Sequence, residues 1–263
     1  MSSVADVSSL FQSAFDDNVI GEDALNSLQV VDLGNKIADA LGVPAEDFEQ
    51  SEVVLVSVKT DDSGSIRFAG NSAAVRDGHN LIIESLVASK QQDNMLFLSQ
   101  LLNGDLICPY VPIDHAERLT KKNYSPDRGT PLYDETVAFL GTVLAKAQEF
   151  ADHGVPCRTI SLLITDGADM HSTRHNAGNV KKIVDDMLRQ ENHLVAAMGI
   201  RDDDGVDYEL VFRAMGILPQ WILTPQSNPT EIRKACRTFS QSAVRASQSA
   251  AGFSQQAIGG FGG

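Results

Sequence analysis

The chain has 263 residues, of which 43% are hydrophobic, which is enough for one large domain with a full core. Lysine and arginine total 21 against 35 aspartate and glutamate residues, so the formal net charge is −14. Such a surface repels phosphate backbones, which argues against general nucleic-acid binding, whereas an acidic chain suits divalent cations.

The cysteines and the apolar runs predict where the protein acts. Cys108, Cys157 and Cys236 are odd in number and show no CxxC spacing, so we expect reduced thiols. The opening segment lacks a basic region followed by an apolar one, and no apolar run is long enough to span a bilayer. The sequence therefore predicts a cytoplasmic protein with no membrane partner.

Residues 1–50 carry apolar residues at helical spacing. One stripe runs through "SLFQSAFDD", and a second runs through "SLQVVDLGNKIADALGVP" and ends at Gly42, with Pro44 beyond it. We expect an N-terminal helical extension that packs on the main domain.

The next segments predict a central strand and a hairpin. "EVVLVSVKT" (52–60) is a β-branched run typical of a buried parallel strand, and "SAAVRDGHNLIIESLVAS" reads as a helix. Asn103 and Gly104 then separate two apolar runs, which is a strong hairpin signal. We expect residues 94–102 to pair antiparallel with residues 105–110.

Strands and helices alternate through the rest of the chain. A long helix, "PLYDETVAFLGTVLAKAQEFADHG", precedes the strand "RTISLLITDG", and further helices and strands follow up to a last helix capped by Asn228. The alternation predicts an α/β fold, a doubly wound, mostly parallel sheet with one antiparallel edge hairpin. We assign residues 51–249 to this domain and residues 250–263 to a flexible Gly-rich tail.

Oxygen-bearing side chains follow two of the predicted strands and precede one helix. Asp61 comes after the first strand, Asp166 after "ISLLIT", and Thr130 just before Pro131, the expected first residue of the long helix. In open parallel sheets, ligands bind beyond the carboxyl ends of the strands, so these residues should converge. Ser63 and Ser65 alternate with Asp61 in "DDSGS" and should reach the same point.

This donor set predicts a metal site. Two carboxylates and three hydroxyls are hard oxygen donors, which suit Mg²⁺, with Mn²⁺ or Ca²⁺ as alternatives, rather than zinc. Gly64, between the two serines, is expected to permit a sharp turn there. An octahedral ion held in this way keeps one vertex for the carboxylate of a partner.

The order of DxSxS, a threonine within "GTPL" and a strand-terminal "TDG" resembles the von Willebrand factor A (vWA) family, over roughly residues 50 to 245. The resemblance implies a Rossmann-like fold with a metal-ion-dependent adhesion site. It implies direct metal contacts from the serines and the threonine, contacts from the aspartates directly or through water, and an Asp or Glu of a partner completing the shell. Lys59 and Ile66 depart from the commonest flanking residues. The implied ligands are Asp61, Ser63, Ser65, Thr130 and Asp166.

The intracellular character also resembles bacterial vWA proteins of stress and tellurite-resistance loci. That resemblance implies a role in stress response, with AAA+ ATPases, kinases or phosphatases as protein partners.

Three functions remain open at this point. The first is a metal-dependent binding module; the second is a metal-dependent hydrolase with Asp62 or Asp134 as general base; the third is an assembly protein in which the metal is incidental. No G-x-S-x-G elbow and no phosphate-binding glycine loop is present, so we expect no enzyme. The alternative to a metal site is that Asp61 and Ser63 cap a turn and Thr130 caps a helix.

Three other motifs are weaker. "RDDDGVDYE" (201–209) resembles a calcium loop, but the positions that need Gly and Glu hold Asp207 and Arg213, so we expect Asp204 or Asp207 to begin a helix. His171 and His175 are predicted to lie in a surface loop rather than to bind zinc, with His171 a candidate for the rim of the site. The terminal Gly262 and Gly263 are predicted to be flexible sequence and not a conjugation signal.

Overall fold

The computed structural model describes residues 4–29, 31–202, 205–248 and 261. Six strands of the described residues form one sheet in the order β3-β2-β1-β4-β5-β6, parallel throughout except for the β2–β3 pair. The strands are β1 (Val53–Thr60), β2 (Met95–Leu101), β3 (Leu106–Pro112), β4 (Cys157–Thr165), β5 (His193–Gly199) and β6 (Ile222–Leu223). The predicted fold class is confirmed.

Helices flank this sheet. In the described residues they are α1 (Val4–Asp16), α2 (Glu22–Leu28), α3 (Val31–Ala40), α4 (Gly64–Phe68), α5 (Ser72–Val87), α6 (Leu132–Asp152), α7 (Ala177–Arg189), α8 (Tyr208–Ala214) and α9 (Pro229–Gln248). None of these helices combines the length and the apolar character that crossing a bilayer requires.

The central strand β1 shows why the sheet is covered on both faces. All eight of its residues are buried. Lys59 donates to Glu135 of α6, so its face of the sheet meets α6. Val58, on the opposite face, lies in register with Ser99, whose hydroxyl is 2.8 Å from a ring nitrogen of His79 in α5. A strand buried on both faces is the doubly wound arrangement that its continuous apolar run predicted.

The predicted hairpin forms at the edge of the sheet. Gly104 has φ +96°, a left-handed conformation that glycine adopts without a Cβ clash. Leu101 N–H donates to Asp105 O at 2.8 Å and closes the turn. The β2–β3 ladder is irregular between Phe97 and Gln100.

The N-terminal helices form an additional layer over α6 and α7. Helices α1 and α3 pack on α6, and α2 packs on α7. A Cβ built on Gly141 of α6 would lie 2.7 Å from Leu28, 3.2 Å from Ile37 and 3.6 Å from Phe11, so the missing side chain lets the layer approach closely. The division of the chain at residues 50 and 249 stays a prediction.

Some of the predicted helix boundaries hold in the structure, but the stripe that runs through "SLQVVDLGNKIADALGVP" is divided, because Leu28 ends α2 and α3 is Val31–Ala40. Asn228 caps α9 by accepting from Glu231 N–H at 3.0 Å, and Asp207 caps α8 by accepting from Leu210 N–H at 3.0 Å. Pro131 is the N-cap of α6 and not its first residue, because α6 begins at Leu132.

Three sequence predictions fall on parts of the chain that the structure does not describe. They concern Asp204, the terminal Gly262–Gly263 pair, and the Gly-rich tail apart from Phe261. The ring of Phe261 lies edge-on to buried Trp221, with 5.1 Å between the ring centroids.

Candidate metal centre

Asp61 organises the segment that follows β1. Its side chain is fully buried, and its backbone N–H donates to Ile164 O at 2.9 Å, which ties it to the end of β4. Oδ1 accepts from Ser63 N–H at 2.7 Å, and Oδ2 accepts from the Thr165 hydroxyl at 2.6 Å. Burial raises the pKa of Asp61, and these hydrogen bonds oppose the rise.

Ser63, Ser65 and Asp166 converge on one point. The Ser65 hydroxyl donates to Asp166 Oδ1 at 2.6 Å, and the Ser63 hydroxyl donates to the same oxygen at 3.3 Å. The two serine hydroxyl oxygens are 2.8 Å apart. These side chains come from segments that follow the neighbouring strands β1 and β4, as the strand ends predicted.

Ser63 is the N-cap residue of α4, but its side chain makes no capping hydrogen bond. The predicted sharp turn at Gly64 is wrong, because Gly64 is the first residue of α4 and does not have a positive φ. Its missing side chain instead makes room for a neighbour, since a Cβ built on Gly64 would lie 3.3 Å from the ring of Phe68.

Thr130 reaches the same region from the loop before α6. Gly64 N–H donates to Arg128 O at 3.1 Å, which draws this loop onto the start of α4. A Cβ built on Gly167 would lie 3.7 Å from the Thr130 hydroxyl oxygen, so Thr130 borders the Asp166–Gly167 turn. Thr130 N–H donates to His171 Nδ1 at 2.9 Å, which places His171 at the rim. The N-cap of α6 is Pro131, so Thr130 does not cap that helix.

One carboxylate oxygen in this cluster has no protein partner. Asp166 Oδ2 is buried and makes no hydrogen bond within the described residues, while Oδ1 accepts two. A buried carboxylate oxygen without a partner is costly, and a bound cation or water would satisfy it. Burial, followed by the nearby charge of Asp61, raises the pKa of Asp166 to about 7.

The donor chemistry of this cluster fits a hard cation. Hydroxyl oxygens of Ser63 and Ser65 keep lone pairs, and Asp166 Oδ2 offers an unused one, which are the ligand types that Mg²⁺, Mn²⁺ and Ca²⁺ take. Within the described ranges, no three His, Cys, Asp or Glu side chains gather to hold a metal ion. Any cation held here therefore depends on hydroxyl ligands as well as carboxylates.

Two residues that support the site were not predicted from the sequence. Thr165 donates its hydroxyl to Asp61, and Tyr124 donates its hydroxyl to Asp61 O at 2.7 Å. Thr165 directly precedes Asp166 in the strand-terminal "TDG", so its position was a usable signal. Tyr124 lies in a long polar loop, and no sequence signal pointed to its contact with Asp61.

The two residues considered as general bases are engaged elsewhere. Asp134 accepts from the backbone N–H groups of Thr173, Arg174 and His175, and it faces His175 Nδ1 at 3.1 Å. Burial opposes ionisation of Asp134, but those amides and His175 hold its pKa below the usual value. Asp62 accepts from Asn103 N–H at 3.0 Å in the hairpin. Burial raises the pKa of Asp62 to about 6.

A buried ion pair joins β1 to the first turn of α6. Lys59, 1% exposed, donates to Glu135 Oε2 at 2.9 Å, and Lys36 of α3 donates to Glu135 Oε1 at 2.7 Å. The sequence showed a lysine in an apolar strand but gave no sign of its partner.

A mixed sheet of this strand order, with helices on both faces, is the Rossmann-like α/β fold of vWA domains. No protein-family model matches the sequence, and no curated protein sequence matches it. Among solved structures, the pilus adhesin SpaC from Lactobacillus rhamnosus GG in its open conformation gives a TM-score of 0.53 at 15% identity. Another form of the same adhesin gives 0.54 at 13% identity.

These alignments cover most of this chain but a minority of the adhesin. They span 75% and 74% of this chain, and 30% and 31% of SpaC, so the chain spans less than a third of the adhesin's length. Proximal thread matrix protein 1 from the mussel byssus, with a zinc-occupied MIDAS motif, gives a TM-score of 0.46 at 14% identity over 73% of this chain and 46% of that one. Identities this low establish the fold alone.

Proposed function

We propose that this chain is a metal-dependent protein-interaction module. A divalent cation held by the five oxygen-bearing residues would supply positive charge for a carboxylate of the partner. The observation that carries the proposal is the buried, unpartnered Oδ2 of Asp166 beside the two serine hydroxyls that meet at Oδ1. The proposed ligand set is Asp61, Ser63, Ser65, Thr130 and Asp166.

The protein contacts suggest different tasks for the two aspartates. Both oxygens of Asp61 already accept hydrogen bonds from the protein, so Asp61 orients the Ser63 backbone and the end of β4. Asp166 has an oxygen to give, so we assign it direct contact with the cation. Neutral hydroxyls from Ser63, Ser65 and Thr130 add no charge, which leaves the cation attractive to an acidic partner.

A binding role is proposed in preference to catalysis. Asp134 is committed to three backbone amides, and Asp62 is directed to the hairpin at Asn103, so neither is placed as a base beside the cluster. The adhesin SpaC, whose fold this chain shares in part, is named for attachment rather than for chemistry.

The finer assignments are part of the same proposal. Mg²⁺ is the proposed ion, with Mn²⁺ or Ca²⁺ as alternatives, because all the donors are hard oxygens. The three cysteines are free thiols, which suits the cytoplasm. A stress-associated role with an AAA+ ATPase, kinase or phosphatase as partner rests on the resemblance of the sequence alone.

The test combines metal binding with partner capture. Calorimetric titration of the wild type with Mg²⁺ should give one site per chain, and immobilised protein should retain partners from a cytosolic extract in Mg²⁺ but release them in EDTA. Ser63→Ala with Ser65→Ala should abolish both. The matched control is Ser9→Ala with Ser85→Ala, which removes two hydroxyls that donate to helix carbonyls elsewhere.

The other outcomes discriminate between the alternatives. Magnesium binding with capture unchanged in EDTA would favour an assembly role in which the metal is incidental. Metal-dependent turnover of a phosphate ester or peptide panel, lost in the double serine variant, would favour a hydrolase. Absence of any magnesium, manganese or calcium binding would contradict the metal site itself.

A further inference from the structure

Two large apolar side chains stand exposed on the segments that carry the candidate ligands. Phe68 is 79% exposed at the end of α4, and Met170 is 78% exposed in the loop after β4. In the described part of the chain, Leu210 is the remaining large apolar side chain with comparable exposure, at 67%. Aromatic residues and methionine are enriched at protein–protein interfaces, so exposed side chains of these types beside a polar site are candidates for contact with a partner.

Phe68 is held next to the two serines. Its ring lies against Gly64, where a Cβ would come within 3.3 Å of Phe68 Cε2, and Gly64 separates Ser63 from Ser65. The Arg67 guanidinium lies 4.9 Å from the centre of the Phe68 ring, and Arg67 is itself ion-paired with Asp127 at 2.6 Å. The ring therefore contacts Gly64 and Arg67 while most of its surface faces solvent.

Met170 is held next to Thr130. Its backbone N–H donates to Thr130 O at 3.1 Å, in the same turn in which His171 accepts from Thr130 N–H. The backbone of Met170 is therefore tied to the segment that carries Thr130, while its side chain is exposed. Phe68 lies on the helix that follows Ser63, so the two exposed apolar side chains belong to segments joined at the candidate site.

We infer that Phe68 and Met170 form an apolar rim that selects the partner. The partner is a protein segment whose Asp or Glu side chain reaches the cation and whose neighbouring residues are apolar. This inference rests on the proposed function and adds the chemistry of the residues flanking the acid. Apolar contacts that exclude water around a central charge strengthen that charge interaction.

The charges around the rim favour an acidic protein segment over an anionic membrane. Arg67, Arg128 and Arg174 are exposed, and they belong to the segments that carry the serines, the threonine and the loop after Asp166. Arg67 is already ion-paired with Asp127, and the positive charge of Arg128 complements a local carboxylate. The chain as a whole carries a net charge of −14, which repels an extended anionic surface.

The experiment selects partners without assuming their identity. A displayed library of nonapeptides with a central Asp or Glu and randomised flanks is panned against the full chain in Mg²⁺. We expect enriched peptides to carry apolar residues beside the acid, and their binding to be lost in EDTA. Phe68→Ser and Met170→Ser should each weaken a selected peptide by about tenfold, the effect of losing one buried apolar side chain.

Matched controls separate the rim from the metal. Phe68→Ser and Met170→Ser should each bind Mg²⁺ as the wild type does in calorimetry. Leu210→Ser, which removes an exposed apolar side chain on α8, and Phe68→Leu, which keeps an apolar one, should leave peptide affinity unchanged. If the selected peptides carry polar flanks and still need the metal, or if Phe68→Ser binds the peptide with wild-type affinity, the apolar rim does not select the partner. The proposed function would remain intact.

Two further outcomes also count against the inference. If the wild type binds no divalent cation, the proposed function fails first and the rim loses its central charge. If the chain binds phosphatidylserine vesicles through Phe68 and selects no peptide, the exposed side chains serve a membrane, and the inference is wrong.

Discussion

Ser65 and Asp166, which lie 101 residues apart in the chain, meet through a hydrogen bond of 2.6 Å from hydroxyl to carboxylate. The contact follows from the sheet, because β1 and β4 are parallel neighbours in which Thr60 pairs with Ile164. Segments that leave two such strands at the same edge are brought side by side. The candidate site is thus a consequence of strand order. Bringing these segments together buries the carboxylate of Asp166, which is energetically unfavourable.

The buried pair of Lys59 and Glu135 gives the first prediction. Lys59→Met should lower the free energy of unfolding by about 1–3 kcal/mol, because Glu135 loses its buried partner while it keeps its ion pair with Lys36. Adding Glu135→Leu should recover part of that loss. Urea denaturation in a double-mutant cycle measures the coupling.

The control for this cycle is the exposed pair of Lys181 and Asp185. Lys181→Met should cost about 0–1 kcal/mol, since exposed ion pairs contribute little. Equal costs for Lys59→Met and Lys181→Met would show that burial of the first pair has no energetic consequence.

Asp134 is predicted to hold the loop after the site. Asp134→Asn keeps the shape but removes the charge that the amides of Thr173, Arg174 and His175 share. Hydrogen exchange of those three amides should accelerate, because charge-assisted hydrogen bonds are the stronger ones. Asp185→Asn is the matched control on the surface of α7, and unchanged exchange in the Asp134 variant would exclude the anchoring role.

Two buried histidines predict acid sensitivity. Burial lowers the pKa of His79 and of His193 to about 4, from the ordinary value of 6.5 for histidine. Between these values the unfolded chain binds protons that the folded chain does not. The contribution of the two neutral histidines to the free energy of unfolding is therefore complete above pH 6.5. It falls as the pH drops toward 4, by about 1.4 kcal/mol per pH unit for each histidine.

The check compares pH dependence, not absolute stability. The slope of unfolding free energy against pH, between pH 4 and 6.5, should be shallower in His79→Asn than in the wild type. His115→Asn, at a histidine whose side chain is 72% exposed, should keep the wild-type slope. Identical slopes in all three proteins would contradict a neutral, buried His79.

Gly141 is predicted to be required for the N-terminal layer. Gly141→Val places atoms where Leu28 and Ile37 already lie, so it should destabilise the chain by about 1–3 kcal/mol and expose α1–α3 to protease. Ala151→Val adds the same side chain at an exposed position of α6 and should do neither. Unchanged proteolysis in the Gly141 variant would mean that the layer does not depend on this close approach.

One physical reason explains why the sequence predicted both the fold and the closeness of the candidate site residues. Apolar runs predicted the strands, and parallel strands share a carboxyl edge, so Asp61 and Asp166 had to be close. The local role of Gly64 was wrong because the backbone there begins a helix instead of turning sharply.

Partners brought together only by packing lay beyond the sequence. Lys59 and Glu135 are 76 residues apart, and their pairing depends on where α6 lies across β1. Tyr124 reaches Asp61 from a loop with no periodic pattern, across 63 residues. No local spacing encodes either contact.

The central claim is that oxygen-bearing side chains of three segments hold one hard cation. The most direct measurement is anomalous diffraction from a crystal of the full chain grown with Mn²⁺. We predict an anomalous peak bounded by the hydroxyls of Ser63 and Ser65, the Thr130 hydroxyl and Asp166. A well-ordered crystal with no peak there, and with Asp166 Oδ2 bonded only to water, would contradict the account.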